Sequence, residues 1–332
     1  LFIMMSSTKP ILGVAAMMLI EEALIHPGDP VSKWIPEFAE MQVAVLRDPT
    51  DEDISPPFVS PTNIPEHRLV PADREITVHD ILTHTSGIAS GGLGSAISED
   101  AIMWLDTRTS LATNVPKYGD IILDFQPGDR WRYSPATALD VIARIIEIES
   151  GLTFDEFVKR RIFEPLGMND TWWNVPEEYQ DRLIDIVGSD IATPPNSAIY
   201  DTSHSTYFGA SYGLKSTAGD YLRFEQMLVN GGELFGNRLL KPQTIELMAS
   251  NKVGDLFNAM PGVSEQGFGY TVATTEESNE RRSKGAFGWG GALGTRSWSD
   301  PAEELTGVIM IQQPVPAVQR DFEDAVHQAL ID

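Results

Sequence analysis

Apolar residues cover nearly every face of the stretch from residue 6 to residue 25, where Ile11-Leu12 leads into Val14-Ala15-Ala16-Met17-Met18-Leu19-Ile20. That pattern predicts one central, buried helix rather than an amphipathic surface helix. Pro10 falls in its first turn, where a missing N–H does little harm, and His26-Pro27-Gly28-Asp29-Pro30 stops it. Residues 48–75 are rich in Pro, Asp and Ser and read as an irregular surface crossing. Thr77 caps a short helix, Val78-His79-Asp80-Ile81-Leu82, which ends at His84-Thr85-Ser86-Gly87 before a glycine-rich loop from Ser90 to Ser95. Further helices are expected at 99–113, 136–150, 154–162, 217–230 and 242–250.

The last third changes period. Residues 267–273, 285–289 and 295–299 alternate like strands, and Leu305 to Ile311 is an apolar strand. Short turns between them predict an antiparallel sheet, and Ala317 to Ile331 reads as a closing amphipathic helix. The fold class expected is α+β: an antiparallel sheet flanked by helices plus a helix-rich domain, with the first helix packed on the sheet. Residues 1–25 and 260–332 are assigned to the sheet domain and 26–259 to the helical one, with the active site between them.

Composition narrows the function classes. A chain of 332 residues, 42% hydrophobic, can bury a large core. Its formal net charge of -24 makes phosphate backbones and anionic lipid poor partners, so neither nucleic acid nor membrane is expected. The absence of cysteine excludes disulfides, thiolate nucleophiles and Cys-ligated zinc. The longest apolar run, Ile11 to Ile20, is too short to span a bilayer and lacks the features of a secretory signal, so a cytoplasmic location is expected. His79 and His84 fit no zinc spacing, and neither metal nor cofactor is expected; His84 reads as a turn residue.

Candidate chemistry starts at Ser6-Ser7-Thr8-Lys9. Positions three apart share a helix face, so hydroxyl and amine can meet. Serine is a poor nucleophile until a base takes its proton. Lysine serves as that base when burial and positive potential at a helix N-terminus lower its pKa. The same residues would also suit a helix cap and a solvated first turn, although a lysine followed by so apolar a run is hard to leave in solvent. Tyr133, after Gln126-Pro127-Gly128 and near a helix start, could shuttle protons or simply cap that helix. Phe287-Gly288-Trp289-Gly290-Gly291-Ala292-Leu293-Gly294 is too glycine-rich for an ordinary strand. It suits either a bulge or close approach of a ligand to bare backbone. Gly209-Ala210-Ser211-Tyr212-Gly213 matches a nucleophile-elbow pattern, but no apolar strand precedes it and the only later histidine, His327, falls inside an expected helix.

Taken in order, Ser6-Ser7-Thr8-Lys9-Pro10, Leu82-Thr83-His84-Thr85-Ser86-Gly87, Pro127-Gly128 leading to Tyr133-Ser134, Tyr212-Gly213-Leu214-Lys215-Ser216-Thr217 and Trp289-Gly290-Gly291 resemble the penicillin-recognising serine hydrolases. They are most similar to the family VIII carboxylesterases, relatives of class C β-lactamases. The resemblance implies a β-lactamase/transpeptidase-like fold. It makes Ser6 the acylated nucleophile, Lys9 its base and Tyr133 the third member of the relay, with the N–H groups of Ser6 and Ala292 as oxyanion hole. Family members carry a few dozen residues forming sheet strands before this helix, whereas five residues precede Ser6 here, so those strands are expected to be missing.

Two departures from the β-lactamase pattern point to the substrate. Pro135 stands where Tyr-x-Asn has its amide, and Trp289-Gly290-Gly291 where Lys-Thr-Gly has its cation. Losing a charge-assisted contact costs on the order of 1.5–3 kcal/mol, which disfavours anionic lactams. A small-molecule ester of short to medium acyl chain is therefore the expected partner. Trp289, Gly290, Gly291, Phe208, Tyr207 and Trp172 are candidate pocket walls. Lys284-Gly285 lies too early to replace the missing cation and reads as surface.

Overall fold

The computed structural model describes residues 1–48, 58–99, 109–186 and 205–330. Among the described residues eleven strands follow in chain order: β1 (Phe2–Ile3), β2 (Gln42–Leu46), β3 (His67–Pro71), β4 (Lys215–Ser216), β5 (Glu233–Leu234), β6 (Asn237–Arg238), β7 (Gln266–Phe268), β8 (Ala273–Thr275), β9 (Phe287–Gly290), β10 (Arg296–Asp300) and β11 (Leu305–Ile309). The last five form one antiparallel sheet in the order β11-β10-β9-β8-β7. β1 pairs with β4, β2 with β3 and β5 with β6.

The first helix is central, as its pattern predicts. It begins with a 3-10 turn, Met5–Thr8, and continues as Lys9–Glu21, with every residue from Lys9 to Leu19 buried. Each fully buried Leu, Ile or Met contributes about 1.5–3 kcal/mol. Burying an ammonium costs several kcal/mol, so Ile11, Leu12, Val14 and Met17 together are enough to carry Lys9 inside with them. Its neighbours correct one expectation. The helix packs chiefly on the helices Ala138–Ser150, Phe154–Val158 and Pro242–Ala249, and meets the sheet most closely at β9. Gly13 is where the Tyr270-Thr271 turn comes closest, since a Cβ there would stand 2.2 Å from Thr271 Oγ1.

The sheet is covered instead by two other helices. Ala218–Val229 lies on β10 and β11, with Ser299 Oγ donating to Glu225 Oε2 at 2.8 Å. Pro316–Gln328 packs on β11, and Phe322 meets Trp298 edge-on at 5.8 Å. Adjacent strand residues point to opposite faces, so Trp298 and Ser299 place these two helices on opposite sides.

Three further expectations need correction. The stretch 267–273 is a hairpin, not one strand: Thr271 adopts a left-handed φ of 66°, and the chain reverses between β7 and β8. The crossing 48–75 holds β3, whose exposed residues pair with β2 over five positions. Its backbone is satisfied by the ladder although its side chains bury little. Leu93–Ile97 forms a short helix where the sequence suggested only a glycine-rich loop. Of the helix expected at 99–113, residues 100–108 lie outside the described residues, and Leu111–Asn114 is helical. The helices at 136–150, 154–162, 217–230 and 242–250 are found as Ala138–Ser150, Phe154–Val158 running into a π-helical turn, Ala218–Val229 and Pro242–Ala249. Among the described residues, no helix is long and apolar enough to cross a membrane.

Candidate active site

Ser6 sits in the 3-10 turn that opens the central helix, directly after Met5, whose φ of 48° is unusual for a residue with a side chain. Such local strain persists only where surrounding contacts enforce it. Here they do: Ser7 N–H and Thr295 Oγ1 both donate to Met4 O, at 3.0 Å each, and Ser7 Oγ lies 2.9 Å from Thr295 Oγ1. These bonds stitch the Ser6 turn to the turn after β9. Gly291 fits there because a Cβ would stand 2.2 Å from Met4 O. The N–H groups of Ser6 and Ala292, on the two stitched turns, have no acceptor among the described residues.

Lys9 is fully buried. Its Nζ donates to Ser211 O at 2.7 Å, to Pro135 O at 2.8 Å and to Ser6 Oγ at 3.3 Å. Tyr133 OH donates to Ser6 Oγ at 2.7 Å. Burial pushes the Lys9 amine below its ordinary value, opposed by Tyr133 and Asp140. A neutral amine has two N–H bonds and one lone pair. When the amine is neutral, the two carbonyls take its N–H bonds and its lone pair is left for the Ser6 hydroxyl, in place of the N–H that the ammonium donates there. The arrangement can therefore accept a proton from Ser6 without reorganising.

Tyr133 stands four residues before Thr137, the residue capping the Ala138–Ser150 helix, rather than at the helix start itself. It is held by its neighbours. Arg132 N–H donates to His84 O at 3.0 Å and Ser134 N–H to His84 Nδ1 at 3.3 Å. The imidazole meets the Tyr133 ring edge-on at 4.9 Å. His84 is buried with a left-handed φ of 59°, and burial followed by the field of Lys9 holds its pKa well below the ordinary value. The turn role expected for His84 is thus joined to a clamp on both sides of Tyr133.

Trp289 reaches Tyr133 with ring centroids 5.5 Å apart and stands edge-on to Phe268 at 5.4 Å. Gly290 and Gly291 continue that edge. Lys284 is exposed, in the turn before β9, and pairs with Glu277; Arg296, opposite Gly290, pairs with Glu323. A cavity of about 620 Å³ opens along β9 and β10, but Ser6, Lys9 and Tyr133 do not line it.

Three expected pocket walls have their partners away from Ser6. Tyr207 is a core residue, 3% exposed, with its OH donating to Asp140 Oδ2 at 2.5 Å and lying 2.9 Å from Tyr118 OH. The hydroxyl is satisfied inside the protein, so it is not a groove residue. Phe208 packs on the same core beside Trp173. Trp172 stacks on Tyr179 and pairs its backbone with Lys215. Ser211 is buried in a loop rather than on a strand-to-helix elbow. It enters the site through its carbonyl, a role sequence reasoning missed along with those of Pro135 O and Asp140. Among the described residues, no group of three or more His, Asp or Glu could hold a metal ion.

Comparison with known proteins identifies the family and the fold. The Beta-lactamase family model matches residues 1–330. A protein of Mycobacterium tuberculosis known only as uncharacterized is 32% identical over 336 residues, spanning 94% of this chain and 77% of its own. The lovastatin esterase of Penicillium rubens is 28% identical over 336 residues, spanning 94% of this chain and 79% of its own. The solved structure of EstCE1, a hydrolase with promiscuous acyltransferase activity, is similar with a TM-score of 0.74 at 21% identity, covering 98% of this chain and 84% of that one. The fold is β-lactamase/transpeptidase-like, and the chain belongs to the Beta-lactamase family.

Proposed function

We propose that this protein is a carboxylesterase that cleaves esters of short to medium acyl chains through a Ser6 acyl-enzyme. The observation that carries the reading is the Ser6 hydroxyl bracketed by Lys9 Nζ at 3.3 Å and Tyr133 OH at 2.7 Å. Ser6 Oγ attacks the ester carbonyl carbon as its proton passes to the Lys9 amine. The carbonyl oxygen, now carrying charge, is met by the N–H groups of Ser6 and Ala292, an arrangement worth several kcal/mol per well-aimed donor. Tyr133 relays the proton to the leaving alkoxide, which departs as the alcohol. Water then attacks the acyl carbon, Ser6 recovers its proton, and the acid is released.

The preference for esters over lactams rests on the missing cation. Trp289 stands in the strand position, while Lys284 and Arg296 are each paired with a glutamate. Both of these cations are thereby engaged by a carboxylate, which favours a neutral acyl group along this edge. The likeness to an esterase in Penicillium rubens supports the same reading. Parallel assays on p-nitrophenyl butyrate and nitrocefin test it. Ester turnover should exceed lactam turnover, and Ser6→Ala should lose it by about 10⁴-fold or more. Lactam turnover exceeding ester turnover would reassign the protein as a β-lactamase or D-amino-acid peptidase. Product partitioning toward an added alcohol would favour an acyltransferase.

A further inference from the structure

The acceptors that hold Lys9 are backbone carbonyls, so something else must hold those carbonyls. For Ser211 that group is Asp140. Its Oδ1 accepts the N–H of Ala210 at 2.7 Å and of Ser211 at 3.0 Å, and the carbonyl of the same Ser211 receives Lys9 Nζ at 2.7 Å. Its Oδ2 accepts from Tyr207 OH, which is itself 2.9 Å from Tyr118 OH. Asp140 is completely buried in the first turn of the Ala138–Ser150 helix, just beyond Pro135, whose carbonyl is the other acceptor for Lys9. Both carbonyls on the amine are thus set from the start of one helix.

We infer that Asp140 is a positioning residue that fixes the Ser211 carbonyl on Lys9 and, as a carboxylate one peptide away, stabilises the positive charge Lys9 gains on taking the Ser6 proton. A buried carboxylate is costly unless it is paired and hydrogen-bonded. The donors Ala210 N–H, Ser211 N–H and Tyr207 OH supply the bonds, and Lys9 supplies the charge. Burial pushes the Asp140 carboxyl up, while these three donors and Lys9 pull it back. The titratable groups facing Lys9 are Tyr133, Asp140 and His84. Those facing Asp140, besides Lys9, are Tyr207, Tyr118 and Tyr212.

The inference rests on Ser6 and Lys9 acting as proposed above, and its test separates the two. The rate at which a fluorophosphonate labels Ser6, followed by intact mass, is measured against pH for the parent, Asp140→Asn and Tyr207→Phe. Labelling needs the free amine, so the rate rises as pH rises through the Lys9 pKa. Asp140→Asn keeps an oxygen for the two N–H groups and removes the charge. A nearby opposite charge shifts a pKa by one to three units. The acid limb of Asp140→Asn should therefore move to lower pH by about one unit, with the plateau about tenfold lower because the base is weaker. Tyr207→Phe removes one donor that stabilises the carboxylate, and should give a smaller shift in the same direction. That variant decides the matter if Asp140→Asn does not fold. A lower plateau with an unmoved limb in the folded variants would reduce Asp140 to a packing role and overturn the inference. A parent that never labels at Ser6 would instead overturn the esterase reading.

Discussion

Asp140 and Glu225 are both buried in this protein, and they are kept in different ways. Asp140, beneath the candidate nucleophile, accepts two backbone N–H groups and a phenol, and has Lys9 across one peptide. Glu225, in the seam between the Ala218–Val229 helix and the sheet, has Ser299 Oγ as its donor at 2.8 Å and the Ser297 hydroxyl beside it, with no cation among the described residues to oppose its burial. Desolvation pushes its pKa up to about 7. The contrast separates two uses of a buried acid. Burial raises both acids; at Asp140 convergent donors and a lysine oppose it, whereas at Glu225 hydroxyls alone do.

The chemical half of that contrast is broken most severely at the phenol. Tyr133→Phe removes the hydroxyl on Ser6 and keeps the ring against His84 and Trp289. Ester hydrolysis should fall by about 10²–10⁴-fold, while the thermal midpoint stays near the parent's. A variant within threefold of the parent would remove Tyr133 from the relay. Next is Gly291→Ala, whose Cβ would stand 2.2 Å from Met4 O. Overpacking of this kind costs about 1–3 kcal/mol. It should also pull apart the two turns carrying the Ser6 and Ala292 N–H groups, so kcat should fall more than KM changes. Steady-state kinetics alongside thermal melts would show whether the two losses come together.

The smallest effect concerns the seam. From its ordinary 4.5 to about 7, the native Glu225 binds its proton more tightly than the unfolded chain does. Its contribution to stability is therefore fully present below pH 4.5 and is lost as pH rises through about 7. The loss is on the order of 3 kcal/mol. Glu225→Gln should melt several degrees higher than the parent at pH 8 and close to it at pH 5, with activity retained. Equal melting at pH 8 would mean that Glu225 is ionised at no cost, and the contrast with Asp140 would disappear.

How much of this could be read from the sequence follows from what kind of group each role uses. Ser6 and Lys9 are side chains three apart on an apolar helix, and Tyr133 and Trp289 carry rings that few other roles require, so all four were legible. The acceptors for Lys9 were not: a carbonyl bears no residue identity, and those of Pro135 and Ser211 arrive from 126 and 202 residues away. Asp140 left a faint signal, an acid inside Ala138-Leu139-Asp140-Val141-Ile142-Ala143 where helical spacing turns it inward. Tyr207 misled because an aromatic near candidate site residues looks the same whether its hydroxyl points to a groove or, as here, to a buried acid. In the fold, long apolar periods gave helices within a few residues. The β7–β8 reversal escaped because its left-handed residue is Thr271 rather than a glycine, and β3 because an exposed strand has no apolar alternation to find.

The most direct test of the central claim is rapid acid quench of the protein during turnover of p-nitrophenyl butyrate, followed by intact and peptide mass. One butyryl group should appear on the peptide containing Ser6 in the parent and be absent from Ser6→Ala. A Ser6→Ala protein that still turns over the ester, or an acyl group mapped to another residue, would contradict the account.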